Sequence, residues 1–200
     1  AQCKAACLFT AGRAAIFAAV NVARIRKTHE FFANRTAFVD RIAHEITLAA
    51  GRAERAGMKL AIRLNGTSDI DWQRIPTSDG RNLMERFPAV TFYDYTKNPY
   101  RRSRHANYDL TFSRSETNEL LAFGSPYRVA VVFGTRKGRA LPAEYLGRPV
   151  VDGDTTDLRF LDPAGVVVGL RAKGRAKGQA SGFVVPADGL EALTIERGVA

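Results

Sequence analysis

Cysteine is nearly absent from this sequence of 200 residues, which contains only Cys3 and Cys7. A disulfide between two cysteines this close together would be too local to staple a chain of this length, so cytoplasmic residence is the simpler interpretation. Long apolar runs are also missing, and no stretch approaches the roughly 20 consecutive apolar residues of a transmembrane helix. The composition therefore predicts a soluble cytoplasmic protein without a membrane-spanning segment.

Acidic residues are the second scarce group. The chain has 20 Asp and Glu residues against 30 Lys and Arg residues, which gives a formal net charge of +10. A positive field of this size attracts polyanions and raises association rates without dictating a fold. We therefore expect nucleic acid or another polyanion as the partner.

The motifs of common enzyme classes are missing as well. The sequence contains no P-loop, no dinucleotide-binding glycine pattern, no His-Glu-x-x-His helix and no nucleophile elbow. Common hydrolase and nucleotide-binding classes are thus unsupported. The catalytic residues are unknown, and the sequence leaves open whether the protein is an enzyme.

The apolar pattern divides the chain into three parts of one domain, residues 1–200. Residues 1–57 have a helical pattern. Residues 58–148 alternate short apolar runs, polar loops and helical segments, which indicates parallel strands. Residues 149–200 are rich in short strands and turns. The predicted fold class is α/β, with a parallel sheet resembling a partial or distorted (β/α) barrel and a C-terminal antiparallel β appendage; an open doubly wound sheet is the alternative.

The boundaries of the main predicted elements follow from caps, glycines and polar breaks. A helix is expected to begin at Asn34 or Thr36 and to end at Gly57. The predicted strands are residues 59–64, 90–93, 108–112 and 128–133, and the shorter helical segments are residues 82–87, 117–123 and 142–146.

Polar side chains follow each predicted strand, and ligands of α/β sheets bind at the carboxyl ends of strands. The first choice of site is residues 65–69, because Gly66 permits close approach beside hydroxyl and carboxylate groups. We expect Asn65, Asp94, Ser113 and Arg136 to share one rim. The alternative is plain loops and turns, whose carboxylates bond their own backbone. The ligand-binding candidates are Asn65, Thr67, Ser68, Asp69, Asp94, Tyr95, Lys97, Ser113, Arg114, Glu116, Asp152 and Asp154.

Two basic segments are candidates for contacting nucleic acid. Residues 171–177 carry a cation at every second position, and an extended strand would direct all four to one face, ~6.6 Å apart, as phosphates are spaced. Residues 100–105 interleave Tyr100 with guanidinium groups, as base stacking and phosphate contact require. A solvated edge strand and a surface loop are the alternatives. The nucleic-acid-binding candidates are Arg101, Arg102, Arg104, Arg171, Lys173, Arg175 and Lys177.

Cys3 and Cys7 are the metal-ligand candidates. Their spacing places two thiolates one helical turn apart or on one loop, as zinc or an iron–sulfur cluster requires. Two ligands do not complete a site, and two small buried thiols are the alternative interpretation.

Several runs of this sequence carry a resemblance to a known family, among them Arg63-Leu64-Asn65-Gly66-Thr67-Ser68-Asp69-Ile70, Leu110-Thr111-Phe112-Ser113-Arg114-Ser115-Glu116 and Asp157-Leu158-Arg159-Phe160-Leu161-Asp162. With these runs the sequence resembles a family encoded by bacteriophages and plasmids. The resemblance covers nearly the whole chain and implies no particular reaction. It implies a location in the cytoplasm of a bacterial host cell, and an upstream cysteine lost from a shortened amino end.

A weaker resemblance concerns the radical S-adenosylmethionine enzymes, whose cluster loop follows the pattern Cys-x-x-x-Cys-x-x-Cys. Cys3 and Cys7 match its first two positions, whereas Thr10 occupies the third. The third ligand that the cluster needs is therefore missing.

Three functions follow from these observations. The leading one is a phage- or plasmid-type accessory protein that engages nucleic acid through its basic loops. The second is a radical-S-adenosylmethionine-like or other metal enzyme with a site at the strand ends. The third is a non-catalytic structural or host-interaction protein.

Overall fold

The computed structural model describes residues 17–177 and 182–186. These residues form two compact units. The first, called the helical unit, contains residues 17–94 and 101–110, and the second, called the sheet unit, contains residues 95–100, 111–177 and 182–186. The division falls within two strands, and each unit is described by itself.

The helical unit begins with two helices, α1 (Ala18–Ala33) and α2 (Arg35–Arg55). Asn34 separates them with an extended backbone and caps α2, because its side-chain oxygen accepts a hydrogen bond from Ala37 N at 3.0 Å. Gly57 follows the end of α2 with a φ of 63°, a conformation that glycine adopts without strain. The predicted helix from Asn34 to Gly57 is confirmed. The side chains that α2 buries are Val39, Ala43, Ile46 and Ala53.

Strand β1 (Ala61–Ile62) pairs in parallel with β2 (Thr91–Thr96). Between them lies a short helix, α3 (Leu83–Arg86), which Asn82 starts with a capping box. The Asn82 side chain accepts hydrogen bonds from the first turn of α3, and the Glu85 carboxylate accepts the Asn82 N–H at 2.9 Å. This cap confirms the helical segment predicted over residues 82–87.

The remaining elements are β3 (Tyr108–Ser113), α4 (Glu119–Phe123), β4 (Val129–Phe133), β5 (Glu144–Tyr145), β6 (Arg148–Asp152), β7 (Val167–Arg171) and β8 (Val184–Val185). The strand order is β1-β2-β3-β4-β7-β6-β5, and β8 pairs with β4 beside this path. The pairs β1–β2, β3–β4, β4–β7, β4–β8 and β6–β7 are parallel, and β5–β6 is antiparallel. The predicted α/β class with a mostly parallel sheet is confirmed. The described strands form an order with two ends, not a closed ring.

The last quarter of the chain joins the parallel sheet. The sequence pattern predicts an antiparallel appendage there, but β7 lies beside β4, and Val150 of β6 pairs in parallel with Val167 of β7. The connection from residue 153 to residue 166 has the dozen or more residues that a parallel crossover needs. Among the described strands, antiparallel pairing is confined to β5–β6.

The apolar core of the sheet unit lies around β4. It includes Phe112, Val129, Val131, Phe133, Tyr145 and Val167. Burying a Val or Phe side chain fully stabilises a fold by about 1.5–3 kcal/mol. This packing fixes the strands whose carboxyl ends carry the polar residues described below.

The helix predicted over residues 142–146 is wrong, because this segment forms β5 and a tight hairpin with β6. Leu146 and Gly147 make the two-residue loop, with φ values of 49° and 78°. Positive φ at both loop positions is the geometry of a type I′ turn. Leucine is a poor residue for it, so the sequence carried no hairpin signal.

Replacing Leu146 with asparagine should therefore raise the free energy of unfolding by about 0.5–1 kcal/mol, because asparagine tolerates the left-handed region better than leucine. Urea denaturation measures the change. Leu146→Ala is the control, since it removes the same apolar side chain without relieving the backbone, and an equal gain in both variants would contradict the prediction.

Candidate functional site

The buried side chain of Asn65, a residue that is 2% exposed, forms hydrogen bonds that stabilise the loop after β1. Its side-chain oxygen accepts hydrogen bonds from Ser68 Oγ at 2.8 Å, Ile70 N at 3.0 Å and Trp72 Nε1 at 3.1 Å. Its amide nitrogen donates to the Ile70 carbonyl at 3.0 Å and to Asp94 Oδ2 at 3.1 Å. Both amide protons and the oxygen are thus used within the protein. Asn65 organises this loop and has no hydrogen-bonding capacity left for a ligand.

Asp94, in β2, is the buried anion of the same cluster and is 1% exposed. It accepts hydrogen bonds from Asn65 N at 2.7 Å and from Tyr108 Oη at 3.0 Å, besides the Asn65 amide. Burial raises the pKa of Asp94 to about 6, although these hydrogen bonds act in the opposite direction. Burial and the nearby Asp94 charge also raise the pKa of Tyr108, which keeps its hydroxyl a donor. Within the protein, Asp94 acts as a hydrogen-bond acceptor for Asn65 and Tyr108.

The segment after β2 is anchored by Arg101, which is 6% exposed. Its Nη1 donates to Asp69 Oδ1 and its Nη2 to the Asp69 carbonyl, each at 2.6 Å. Gln73 fixes the next residues, because it donates to the Arg102 carbonyl at 3.1 Å and accepts from Arg104 N at 2.7 Å. Arg101 thus forms an ion pair with Asp69, and its contact with phosphate stays a prediction. The side chains of Arg102 and Arg104 are exposed.

In the sheet unit, two other candidates meet where β2 and β3 end. Lys97 Nζ donates to Ser113 Oγ at 2.7 Å. Arg114 follows Ser113 and is buried, and its Nε donates to Glu119 Oε2 at 2.8 Å while its Nη1 donates to the Phe183 carbonyl at 3.0 Å. These contacts tie the ends of the strands to α4 and to the start of β8.

Asp152 and Asp154 form ion pairs with two of the predicted nucleic-acid ligands. Arg171 Nη1 lies 2.9 Å from Asp152 Oδ2 and 3.0 Å from Asp154 Oδ2, and Lys173 Nζ lies 2.8 Å from Asp154 Oδ1. Burial acts to raise the pKa of Asp154, but hydrogen bonds from Lys173 and Arg171 outweigh it and lower that pKa. Two carboxylates and two cations thus neutralise one another here.

The extended ladder of four cations predicted over residues 171–177 does not form. Strand β7 ends at Arg171, and Gly174–Ala176 is a 3₁₀ turn that begins with a φ of 56° at Gly174. Glycine permits this left-handed bend, which ends the extended geometry. Arg175 and Lys177 are exposed beyond the bend.

A second basic segment leaves the sheet beside the first. Because β4 and β7 are parallel, with Phe133 opposite Arg171, the segments that follow them emerge at the same end of the sheet. After β4 the chain forms a turn closed by a hydrogen bond of 3.1 Å from Arg139 N to the Arg136 carbonyl. Gly138 has a φ of 82° at the third turn position, which a type II turn reserves for glycine. Arg171 joins the two segments, since its Nε and Nη2 donate to the Arg139 carbonyl at 3.2 and 2.8 Å.

The two segments together present five exposed cations, which we call the basic edge: Arg136, Lys137, Arg139, Arg175 and Lys177. None of these five cations takes part in an ion pair within residues 17–177 and 182–186.

Sequence reasoning did not select the turn after β4 for nucleic acid. The sequence signal for this turn is a cluster of three cations around a glycine shortly after a strand.

Three other ligand-binding candidates lie in the loop after β1, in β2 and after β3. Thr67 is exposed in the loop after β1, Glu116 is half-buried after β3, and Tyr95 Oη lies 3.4 Å from Asp157 Oδ1. Cys3 and Cys7 lie outside the described residues. Within the described chain, no three His, Cys, Asp or Glu side chains are grouped to hold a metal ion.

No described helix has the length and apolar character of a membrane span. The family model described as Gene product 88 matches residues 1–187 of the chain. No curated protein matches the chain, and no solved structure does. These comparisons give no support to the resemblance to radical S-adenosylmethionine enzymes.

Proposed function

This chain belongs to the Gene product 88 family, a phage-type family, and we propose that it acts as an accessory protein that binds nucleic acid in the cytoplasm of the bacterial host. The observation that carries the proposal is the basic edge. It gathers five exposed cations on two segments that leave neighbouring parallel strands.

The chemistry of the basic edge favours phosphate as its ligand. Lysine and arginine bind phosphate oxygens by charge-assisted hydrogen bonds, and each phosphate neutralised releases counterions. The adjoining Asp152 and Asp154 carboxylates are already paired with Arg171 and Lys173, which limits their repulsion of an incoming polyanion. The two segments contain no aromatic side chain for stacking on bases. The expected mode is therefore contact with the phosphate backbone, independent of base sequence.

The test is the affinity for a fluorescent DNA duplex and for a single strand, measured by anisotropy over a range of salt concentrations. The wild-type affinity should fall linearly with salt on logarithmic axes. Replacing Arg136, Lys137 and Arg139 together by alanine should flatten that slope by up to about 2.7 on the duplex, because each lost phosphate contact contributes about 0.9.

The matched control replaces Arg52, Arg55 and Lys59 by alanine. These three exposed cations lie on and just after α2, so the variant loses the same charge at another place on the chain. It should keep the wild-type slope. Equal flattening of the slope in both variants would mean that net charge alone, and not the basic edge, causes the effect. If the wild-type protein binds neither the duplex nor the single strand at low salt, the proposed function is refuted.

A further inference from the structure

We propose that Arg171 is a positioning residue of the basic edge and not one of its phosphate ligands. Its guanidinium, held by Asp152 and Asp154, fixes the turn formed by residues 136–139. This inference rests on the proposed function, since it assigns how the same edge is shaped. It also reverses the role that the sequence suggests for Arg171.

The hydrogen-bond inventory of Arg171 supports this role. Nη1 is shared between Asp152, at 3.0 and 2.9 Å, and Asp154 Oδ2, at 3.0 Å. Nε and Nη2 both donate to the Arg139 carbonyl. All three guanidinium nitrogens are thus engaged, and only 14% of the side chain is exposed. A phosphate could bind this group only by displacing two carboxylates and a carbonyl.

The carboxylates are themselves held rigidly. Asp152 ends β6 opposite Gly169 of β7, and Gly153 N donates to the Gly169 carbonyl at 2.9 Å. A Cβ added at Gly153 would lie 2.5 Å from a methyl carbon of Val168, so the backbone approaches β7 more closely than any other residue would permit. Asp154 then accepts from the Arg171 backbone N–H at 3.2 Å as well as from its side chain. The sheet therefore fixes the guanidinium, and the guanidinium fixes the turn.

A positioning role and simple electrostatics predict opposite changes in the affinity for a polyanion when Asp154 is replaced by alanine. Asp154→Ala removes a negative charge beside the basic edge, so electrostatics alone predicts tighter binding of a polyanion. If Asp154 holds Arg171 in place, the same substitution loosens the turn and weakens binding, because the ligand must then order it. We expect the affinity for a DNA duplex to fall by about three- to tenfold at fixed salt.

Arg171→Lys separates geometry from charge at the residue itself. Lysine keeps the positive charge but cannot present nitrogen atoms to two carboxylates and to the Arg139 carbonyl at once. We expect it to lose as much affinity as Arg171→Ala. Affinity retained by the lysine variant and lost by the alanine variant would instead identify a phosphate ligand.

The experiment measures hydrogen exchange of the peptide covering residues 134–141 in the free 200-residue chain, together with DNA affinity and the unfolding midpoint. In Asp154→Ala and both Arg171 variants, exchange of the Arg139 amide should accelerate about tenfold with little change in the unfolding midpoint. The charge-matched control is Glu144→Ala, whose side chain is exposed. It should leave exchange at the turn unchanged.

The exchange readout needs no nucleic acid, so the two proposals fail separately. Unchanged exchange in the Arg171 and Asp154 variants overturns the positioning role, whatever the wild type binds. Faster exchange in a chain that binds no DNA overturns the proposed function and keeps Arg171 as the residue that fixes the turn. Tighter binding by Asp154→Ala overturns the coupling between the two.

Discussion

Replacing Asn65 with aspartate should lower the free energy of unfolding at neutral pH by about 4 kcal/mol, the scale of an uncompensated buried charge. The substitution changes one NH₂ group to oxygen. That group now donates to Asp94 Oδ2 at 3.1 Å and to the Ile70 carbonyl at 3.0 Å. In the variant, two carboxyl groups would face each other at a site where Asp94 is 1% exposed. Urea denaturation at pH 7 measures the loss.

Two further measurements test this explanation. Lowering the pH to about 4 should recover part of the loss, because a proton shared between the two carboxyl groups restores a donor. The control is Asn98→Asp, since Asn98 is exposed and its side-chain oxygen only accepts from Tyr100 N at 3.0 Å, which aspartate can also do. A loss below about 1 kcal/mol in the Asn65 variant would show that the cluster relaxes around the second carboxylate.

The stability of the wild-type protein should carry a contribution from Asp94 that grows as the pH falls from about 6 to about 4. Burial raises the pKa of Asp94 in the folded protein to about 6, from an ordinary value of 3.8. Between these two values the folded state binds the proton more readily than the unfolded chain, so acidification favours folding. The amplitude is about 3 kcal/mol, since one pKa unit corresponds to about 1.4 kcal/mol.

The difference in unfolding free energy between the wild type and Asp94→Asn isolates this contribution. Other carboxylates titrate in both proteins, including Asp79 and Glu30, whose arginine partners lower their pKa values. Their effects cancel in the difference. The amide introduced at position 94 would face the Asn65 amide donor, so the variant is expected to be less stable throughout, and the gap should widen toward pH 4. A gap that narrows on acidification would mean that the pKa of Asp94 lies below its value in the unfolded chain.

Several predicted ligand-binding residues form hydrogen bonds to one another within the protein, and their contact with a ligand stays a prediction. Asn65, Asp94 and Tyr108 satisfy one another at the end of β1 and along β2 and β3. Arg101 and Asp69 do the same in the following loops. A buried polar group costs free energy unless it is paired, so strand ends rich in such groups form hydrogen-bond networks even without a ligand.

Local patterns determined much of the fold. The helix starts at Asn34 and Asn82 are set by cap residues whose side chains bond the first turn, and this information lies within four residues. The parallel strands near residues 91–96, 108–113 and 129–133 follow from apolar runs with polar ends. The positive charge was equally readable, because it is a property of composition.

Tertiary structure alone decided which charges remain available. The sequence shows Arg171, Lys173, Arg175 and Lys177 as one series, but the pairing of β6 with β7 brings Asp152 and Asp154 to the first two, whereas Arg175 and Lys177 form no ion pair with the described residues. The same applies to the turn after β4, which becomes a neighbour of residues 171–177 only because β7 inserts between β4 and β6. Pairing between strands that are distant along the chain depends on the packing of the whole core. A short segment of sequence therefore does not reveal which strands are neighbours. The sequence by itself therefore determined the net charge, the helix starts at Asn34 and Asn82 and most of the parallel strands, and the order of the strands determined which cations form ion pairs with Asp152 and Asp154.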